Sequence, residues 1–121
     1  MSLDQYQRIQ DTVANPRDHE YRAFSKVTAK LLAAIEEGQG DLKLLNNAVD
    51  ENRRLWLALS QDCSSTDNLL PLETRATIIN LSRWVGQYSR EVLRTGETPE
   101  PLIEVNRIMM DGLAGRAPEV V

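Results

Sequence analysis

Apolar residues recur at steps of three and four along most of the chain, which is the spacing of one face of an α-helix. Glycine and proline residues interrupt this pattern and divide it into segments. The pattern predicts five helices, over about residues 3–14, 16–37, 41–62, 71–95 and from 99 to between 112 and 115. The polar run from Cys63 to Asn68 predicts a loop.

The predicted fold class is therefore all-α, a compact bundle of about five helices. Asn15 as N-cap with Pro16 at the first helical position supports the start of the second helix, and Asp41 as N-cap supports the start of the third. The sequence contains no internal repeat and no linker long enough to separate two domains. We expect one domain over residues 1–121, with its core at about 6–115 and a mobile tail at 116–121.

The fourth and fifth predicted helices carry more apolar surface than one small core requires. Projected at 100° per residue, the apolar arc of the fourth helix spans roughly 220°, whereas a surface helix needs only about 100°. The fifth helix has a similarly wide arc. We interpret the surplus as an interface, or as a sign that the fourth helix is central in the bundle. The arcs consist of Ile78, Ile79, Leu81, Trp84, Val85, Tyr88 and Val92 in the fourth helix, and Leu102, Ile103, Val105, Ile108, Met109, Met110 and Leu113 in the fifth.

Two asparagines interrupt apolar arcs. Asn52 falls within the apolar side of the third helix and Asn106 within that of the fifth. An unpaired buried amide costs about 1–3 kcal/mol, so each needs a hydrogen-bonding partner. The partner is either a neighbouring group that fixes helix register or the backbone of a bound protein.

Arginines cluster on the polar side of the fourth helix, at Arg83, Arg90 and Arg94, and Arg53-Arg54 lie beside Trp56. A solvated face with ion pairs to Glu51, Glu91 or other carboxylates is one interpretation, and a docking site for an acidic partner segment is the other. Small residues at Ser82, Gly86 and Ser89 would let another backbone come close to the same helix.

Both tryptophans, Trp56 and Trp84, fall on the apolar sides of their helices, as core anchors do. Tryptophan is also frequent at interface hot spots, so either residue can serve a partner instead. Met109 and Met110 fill the core or line an adaptable groove, since methionine repacks readily.

Composition argues against catalysis and against several other functions. With one cysteine, Cys63, and one histidine, His19, no ordinary zinc site or Ser-His-Asp triad forms, and no glycine-rich phosphate loop is present. We therefore predict a binding protein without enzymatic activity or cofactor. The net charge of −4 disfavours nucleic acid as a direct partner. The absence of a signal peptide or apolar span predicts a cytoplasmic protein without membrane insertion.

Five short strings, in matching order and spacing over about residues 6–115, resemble the FlaF family, the flagellar biosynthesis regulators of alphaproteobacteria. They are Asn15-Pro16-Arg17, Glu20-Tyr21-Arg22, Glu51-Asn52-Arg53-Arg54-Leu55-Trp56, Leu81-Ser82-Arg83-Trp84-Val85 and Pro101-Leu102-Ile103-Glu104-Val105-Asn106-Arg107. The resemblance implies a role in flagellin synthesis and export, with flagellin as a partner held by a secretion chaperone. It also implies a link to the translational regulator FlbT and to the flagellar export apparatus.

The leading hypothesis is a flagellin chaperone whose apolar groove holds a helix of the client. The alternatives are a post-transcriptional regulator acting with FlbT or on flagellin messenger RNA, and an adaptor at the export gate. A homo-oligomer is compatible with the same apolar surplus. The candidate partner-binding residues are Tyr6, Arg53, Arg54, Trp56, Arg83, Trp84, Asn106, Met109 and Met110.

Overall fold

The computed structural model of the chain describes residue 2 and residues 16–37 and 40–115. These residues form four helices, α1 at Pro16–Glu36, α2 at Leu42–Cys63, α3 at Leu72–Thr95 and α4 at Glu100–Leu113. The all-α prediction is confirmed, with four helices in the described part where the sequence predicted about five over the whole chain. The predicted helix at 3–14, the N-cap Asn15, the candidate residue Tyr6 and the tail at 116–121 lie outside the described residues.

Local end signals set the helix boundaries close to their predicted positions. The Asp41 carboxylate caps α2, because its Oδ1 accepts a hydrogen bond from the Leu44 N–H at 3.2 Å. Helix α3 ends at Gly96, whose φ of 76° is left-handed and whose N–H donates to the Val92 carbonyl at 3.2 Å. Pro99 precedes α4 and Pro101 lies in its first turn, where a missing N–H costs no helical hydrogen bond.

The helices pack in an open order rather than around one central helix. Helix α2 packs along α1 on one side and along α3 on the other, and α1 also packs along α4. Helices α3 and α4 touch each other at few points. Of the two explanations for the wide apolar arc of α3, the structure therefore favours a face that its neighbours leave partly uncovered.

The core lies where α1, α2 and α4 meet and extends along α3. Trp56 of α2 is fully buried, and its ring meets Phe24 of α1 edge-to-face with centroids 5.2 Å apart. Val85 of α3 and Leu102 of α4 are also fully buried, so both of these helices contribute to the core. The predicted close approach of two backbones at the small residues is found at Ser82, whose hydroxyl donates to the Trp56 carbonyl at 3.1 Å. None of the four helices is long and apolar enough to cross a membrane.

Candidate functional site

The sparse contact between α3 and α4 leaves a groove of ≈ 490 Å³, which we call the apolar groove. Its walls are mainly aliphatic, with threonines and two glutamates at the edge. The lining residues are Glu20 of α1, Leu59 of α2, Leu70 of the α2–α3 loop, Glu73, Thr74, Thr77, Ile78 and Leu81 of α3, and Ile108, Met109, Gly112 and Leu113 of α4. The groove therefore combines the two helices whose apolar arcs exceeded the needs of the core.

Several large apolar side chains in and beside the groove face solvent. Ile108 is 67% exposed, and Leu69 and Leu72, which flank the lining residue Leu70, are 98% and 72% exposed. Met109 and Leu113 are half-buried and pack against the core. Exposed large apolar side chains grouped at a groove are a feature of interaction sites.

A buried polar network under α4 fixes the position of the groove's α4 wall. The Asn106 amide nitrogen donates to Asn52 Oδ1 at 2.7 Å and to Thr28 Oγ1 at 3.1 Å, and its Oδ1 accepts from the Trp56 indole N–H at 2.8 Å. The Thr28 hydroxyl in turn lies 4.0 Å from the Met110 sulfur. One amide therefore ties α4 to both α1 and α2, which makes this wall rigid.

The comparisons with known proteins agree with the resemblance in the sequence. Residues 2–113, nearly the whole chain, match the model of the family described as "Flagellar protein FlaF". The chain belongs to the FlaF family. Its function is therefore connected with the flagellum. Neither a curated protein nor a solved structure matches the chain.

Two of the predicted partner-binding residues of this FlaF-family chain are completely buried. Trp56 and Asn106 are each 0% exposed and bond to one another. A partner contacting them would have to separate α2 from α4. The interpretation of Asn52 and Asn106 as amides that fix helix register agrees with the structure, whereas a direct contact of Asn106 or Trp56 with a partner does not.

Trp84 lies outside the apolar groove. Its ring stacks on Tyr88 with centroids 5.1 Å apart and planes 14° from parallel. The Tyr88 hydroxyl donates to the Thr98 carbonyl at 2.6 Å, so this pair ties the end of α3 to the α3–α4 connection. Burial, and then the charges of Glu97, Glu91 and Glu100, raises the Tyr88 pKa, which keeps this donor protonated.

The arginines divide into paired and unpaired groups. Arg53 and Arg54 both bind Asp50, at 3.0 and 2.9 Å, and Glu51 binds Lys30 instead. Arg83, Arg90 and Arg94 have no carboxylate within 4.0 Å among the described residues. The ion pairs expected of a solvated basic face are thus present on α2 and missing on α3.

The remaining reactive groups are not arranged together. His19 is exposed on α1, whereas Cys63 is buried at the end of α2, where burial and then Asp62 raise the thiol pKa. No group of three His, Cys, Asp or Glu side chains in the described ranges is placed to hold a metal ion.

Of the predicted site residues that the structure describes, only Met109 lines the apolar groove. Met110 lies behind it against Thr28, and Arg53 and Arg83 line a separate cavity. Sequence reasoning missed Ile108 and Leu113 as site residues although both fell within the wide arc of α4. Placing the apolar arcs of α3 and α4 opposite each other, as two walls of one groove, would have selected them. Leu70 lies in a loop and belongs to neither arc.

Proposed function

We propose that this protein is a cytoplasmic, non-enzymatic flagellin-binding chaperone that holds an amphipathic helix of the client in its apolar groove. Membership of the FlaF family supports a partner belonging to the flagellum. The single observation that carries the proposal is the groove between α3 and α4, lined by aliphatic side chains and open to solvent.

The groove has the properties that helix recognition requires. An amphipathic helix places its apolar residues at i, i+3, i+4 and i+7 into a groove formed by other helices. Met109 on one wall adapts to different client side chains, because an unbranched thioether repacks at little cost.

Binding alone accounts for the chaperone role. Flagellin polymerises through amphipathic helical segments, so a protein that covers one such segment prevents premature assembly before export. No nucleotide or metal is needed for this, because binding alone blocks polymerisation. The net charge of −4 keeps the complex soluble while its apolar surfaces face each other.

Calorimetric titration of purified flagellin into the purified protein tests the proposal. We expect saturable binding with a micromolar dissociation constant and a negative heat-capacity change, because apolar surface is removed from water. Absence of saturable binding at micromolar concentrations would overturn it.

A pair of matched substitutions locates the interface. Ile108→Glu places a charge in the apolar groove at a side chain that is already 67% exposed, so folding is preserved. Leu93→Glu makes the same kind of change at a 46% exposed leucine of α3 that does not line the groove. We expect Ile108→Glu to weaken flagellin binding at least tenfold, about 1.4 kcal/mol, and Leu93→Glu to change it less than twofold. Equal effects of both substitutions would show that the groove is not the interface.

A further inference from the structure

A second cavity of ≈ 320 Å³ lies between α2 and α3, and we call it the basic groove. Three arginines, Arg53 of α2 and Arg83 and Arg90 of α3, line it. The remaining lining residues are Leu57, Ser82, Gly86 and Gln87, so none of the described carboxylates contributes to its wall.

Two of these three positive charges lack a partner of opposite charge. Arg53 is bound to Asp50 at 3.0 Å. Neither Arg83 nor Arg90 has a carboxylate within 4.0 Å in the described part of the chain. The chain carries 18 acidic residues against 14 basic ones, yet no described carboxylate pairs with either arginine. An uncompensated pair facing one cavity is therefore positioned for an anion that comes from outside.

The distance between the two arginines and the open space beside Gly86 limit which ligands fit the basic groove. Arg83 and Arg90 are seven residues apart on α3, which is two turns or about 10.5 Å. Between them lies Gly86, where an added Cβ would meet nothing within 4 Å, so another chain can approach the helix closely. Leu57, 46% exposed, adds an apolar contact beside the charges.

We propose that the basic groove binds an acidic segment of a protein partner, with two carboxylates about 10 Å apart that pair with Arg83 and Arg90. On a partner helix this spacing corresponds to acidic residues seven positions apart. The Arg83 and Arg90 forks suit bidentate carboxylate binding, and Gln87 supplies a further hydrogen-bonding group.

Nucleic acid fits the same groove less well. The overall charge of −4 repels a phosphate backbone, and affinity for nucleic acid grows with the number of phosphates neutralised. Two free arginines neutralise few phosphates, and none of the aromatic rings in the described part of the chain lines the groove for a base to stack on.

The basic groove is independent of the apolar groove. At 100° per residue, the α3 residues of the basic groove (82–90) project from the opposite side of the helix to those of the apolar groove (73–81). A partner at one groove therefore leaves the other accessible, and the inference does not depend on flagellin binding.

Fluorescence anisotropy with two labelled helical peptides tests the proposal. One peptide carries two glutamates seven positions apart with leucines between them, and the other has the same composition with the glutamates adjacent. We expect the first to bind at low salt with at least fivefold higher affinity than the second, and to weaken as salt is raised. Equal affinities of the two peptides would overturn the proposed charge spacing.

Charge-neutralising variants distinguish the groove from the general field of the protein. Arg83→Gln with Arg90→Gln is expected to weaken binding of the first peptide at least tenfold. The control, Arg94→Gln with Arg107→Gln, removes two exposed arginines that do not line the groove and is expected to change affinity less than twofold. Equal losses in both double variants would overturn the proposal.

Filling the groove without changing its charge gives a second test. Gly86→Leu is expected to weaken peptide binding at least tenfold, whereas Gly112→Leu, at a glycine that lines the apolar groove and also has open space, is expected to leave it unchanged.

The proposal is overturned if a labelled single-stranded RNA binds with the same dependence on Arg83 and Arg90 while the peptide does not. Self-association abolished by the Arg83→Gln, Arg90→Gln variant, without peptide binding, would also overturn it and assign the groove to a second copy of this chain.

Discussion

Asn106 concentrates the buried polar contacts of three helices in one side chain. It makes three hydrogen bonds, with Trp56, Asn52 and Thr28, whereas Asn52 makes one and its own amide nitrogen has no partner. Both asparagines are 0% exposed, so replacing either with alanine leaves a cavity of similar size. The two substitutions therefore differ mainly in the number of hydrogen bonds lost.

We expect Asn106→Ala to reduce the free energy of unfolding by about 1–3 kcal/mol more than Asn52→Ala, because it leaves the buried Trp56 N–H unsatisfied. Urea unfolding followed by circular dichroism measures both values. If Asn52→Ala were as damaging as Asn106→Ala, the network would not be centred on Asn106.

Cys63 is protected by its surroundings. It is 2% exposed, and burial followed by the Asp62 charge raises its pKa. Since the thiolate is the nucleophile, we expect alkylation by iodoacetamide at pH 8 to be at least tenfold slower in the folded protein than in urea. Because the pKa of the thiol is higher in the folded than in the unfolded state, the thiol contributes stability that is fully present at pH values below the unfolded-state pKa of about 8.5. This contribution is lost as the pH rises through the folded-state pKa. Equal alkylation rates in the two states would contradict the burial of the thiol.

At the residue scale, the sequence indicated which positions are important, but it did not equally indicate which residues they contact. The need of Asn106 for a partner follows from its place in an apolar arc, but its bond to Thr28 joins residues 78 positions apart. Nothing local encodes that pairing. Arg53 and Arg54 differ in this respect, because their shared partner Asp50 lies three and four positions earlier on α2. That spacing is local to a helix, although the sequence interpretation named Glu51, which binds Lys30 instead.

Two glycines, one within helix α3 and one directly after it, have opposite structural roles. Gly86 lies within the helix with no atom near its missing Cβ, whereas Gly96 ends the helix with φ of 76°. We expect Gly86→Ala to stabilise the protein by about 0.5–1 kcal/mol, because alanine costs less backbone entropy in a helix. Gly96→Ala should destabilise it by about 1 kcal/mol, because a Cβ strains the left-handed conformation.

Thermal and urea unfolding of the two variants measure these changes. They share one chemical substitution on one helix, so a difference in sign isolates the backbone conformation as the cause. Destabilisation by Gly86→Ala would mean that the open space beside Gly86 is occupied in solution.

Helix boundaries were predictable because their signals are local. Asp41 caps α2 and glycine follows α3, each within a few residues of the boundary that it determines. The apolar groove was not predictable in the same way, because it depends on how far α3 and α4 diverge after each packs along a different neighbour. The surplus apolar arcs indicated that such a surface exists, and the packing determined where it lies.

The net charge of the whole molecule does not show how its charges are distributed over the surface. The net charge of −4 disfavoured nucleic acid as a direct partner, yet Arg83 and Arg90 face one cavity without a neighbouring carboxylate among the described residues. The apolar and basic grooves lie on opposite sides of α3. If both proposals hold, the protein would keep a client at one groove while a second protein recognises the other.

Two independent grooves predict that their ligands bind without mutual effect. We expect a saturating concentration of the acidic peptide to change the flagellin dissociation constant less than twofold, because the sites share no lining residue and their α3 residues project from opposite sides of the helix. Ile108→Glu should weaken only flagellin, and Arg83→Gln with Arg90→Gln only the peptide. Calorimetry with each ligand, alone and in the presence of the other, measures all of these values.

Linkage makes this test symmetrical, since any effect of the peptide on flagellin must equal the effect of flagellin on the peptide. Competition between the ligands would mean that flagellin extends over both faces of α3 and that the basic groove is part of one larger client interface. Mutual enhancement would mean that α3 moves when either groove is filled, which its firm packing along α2, through the Ser82 hydroxyl and the Trp56 carbonyl, opposes.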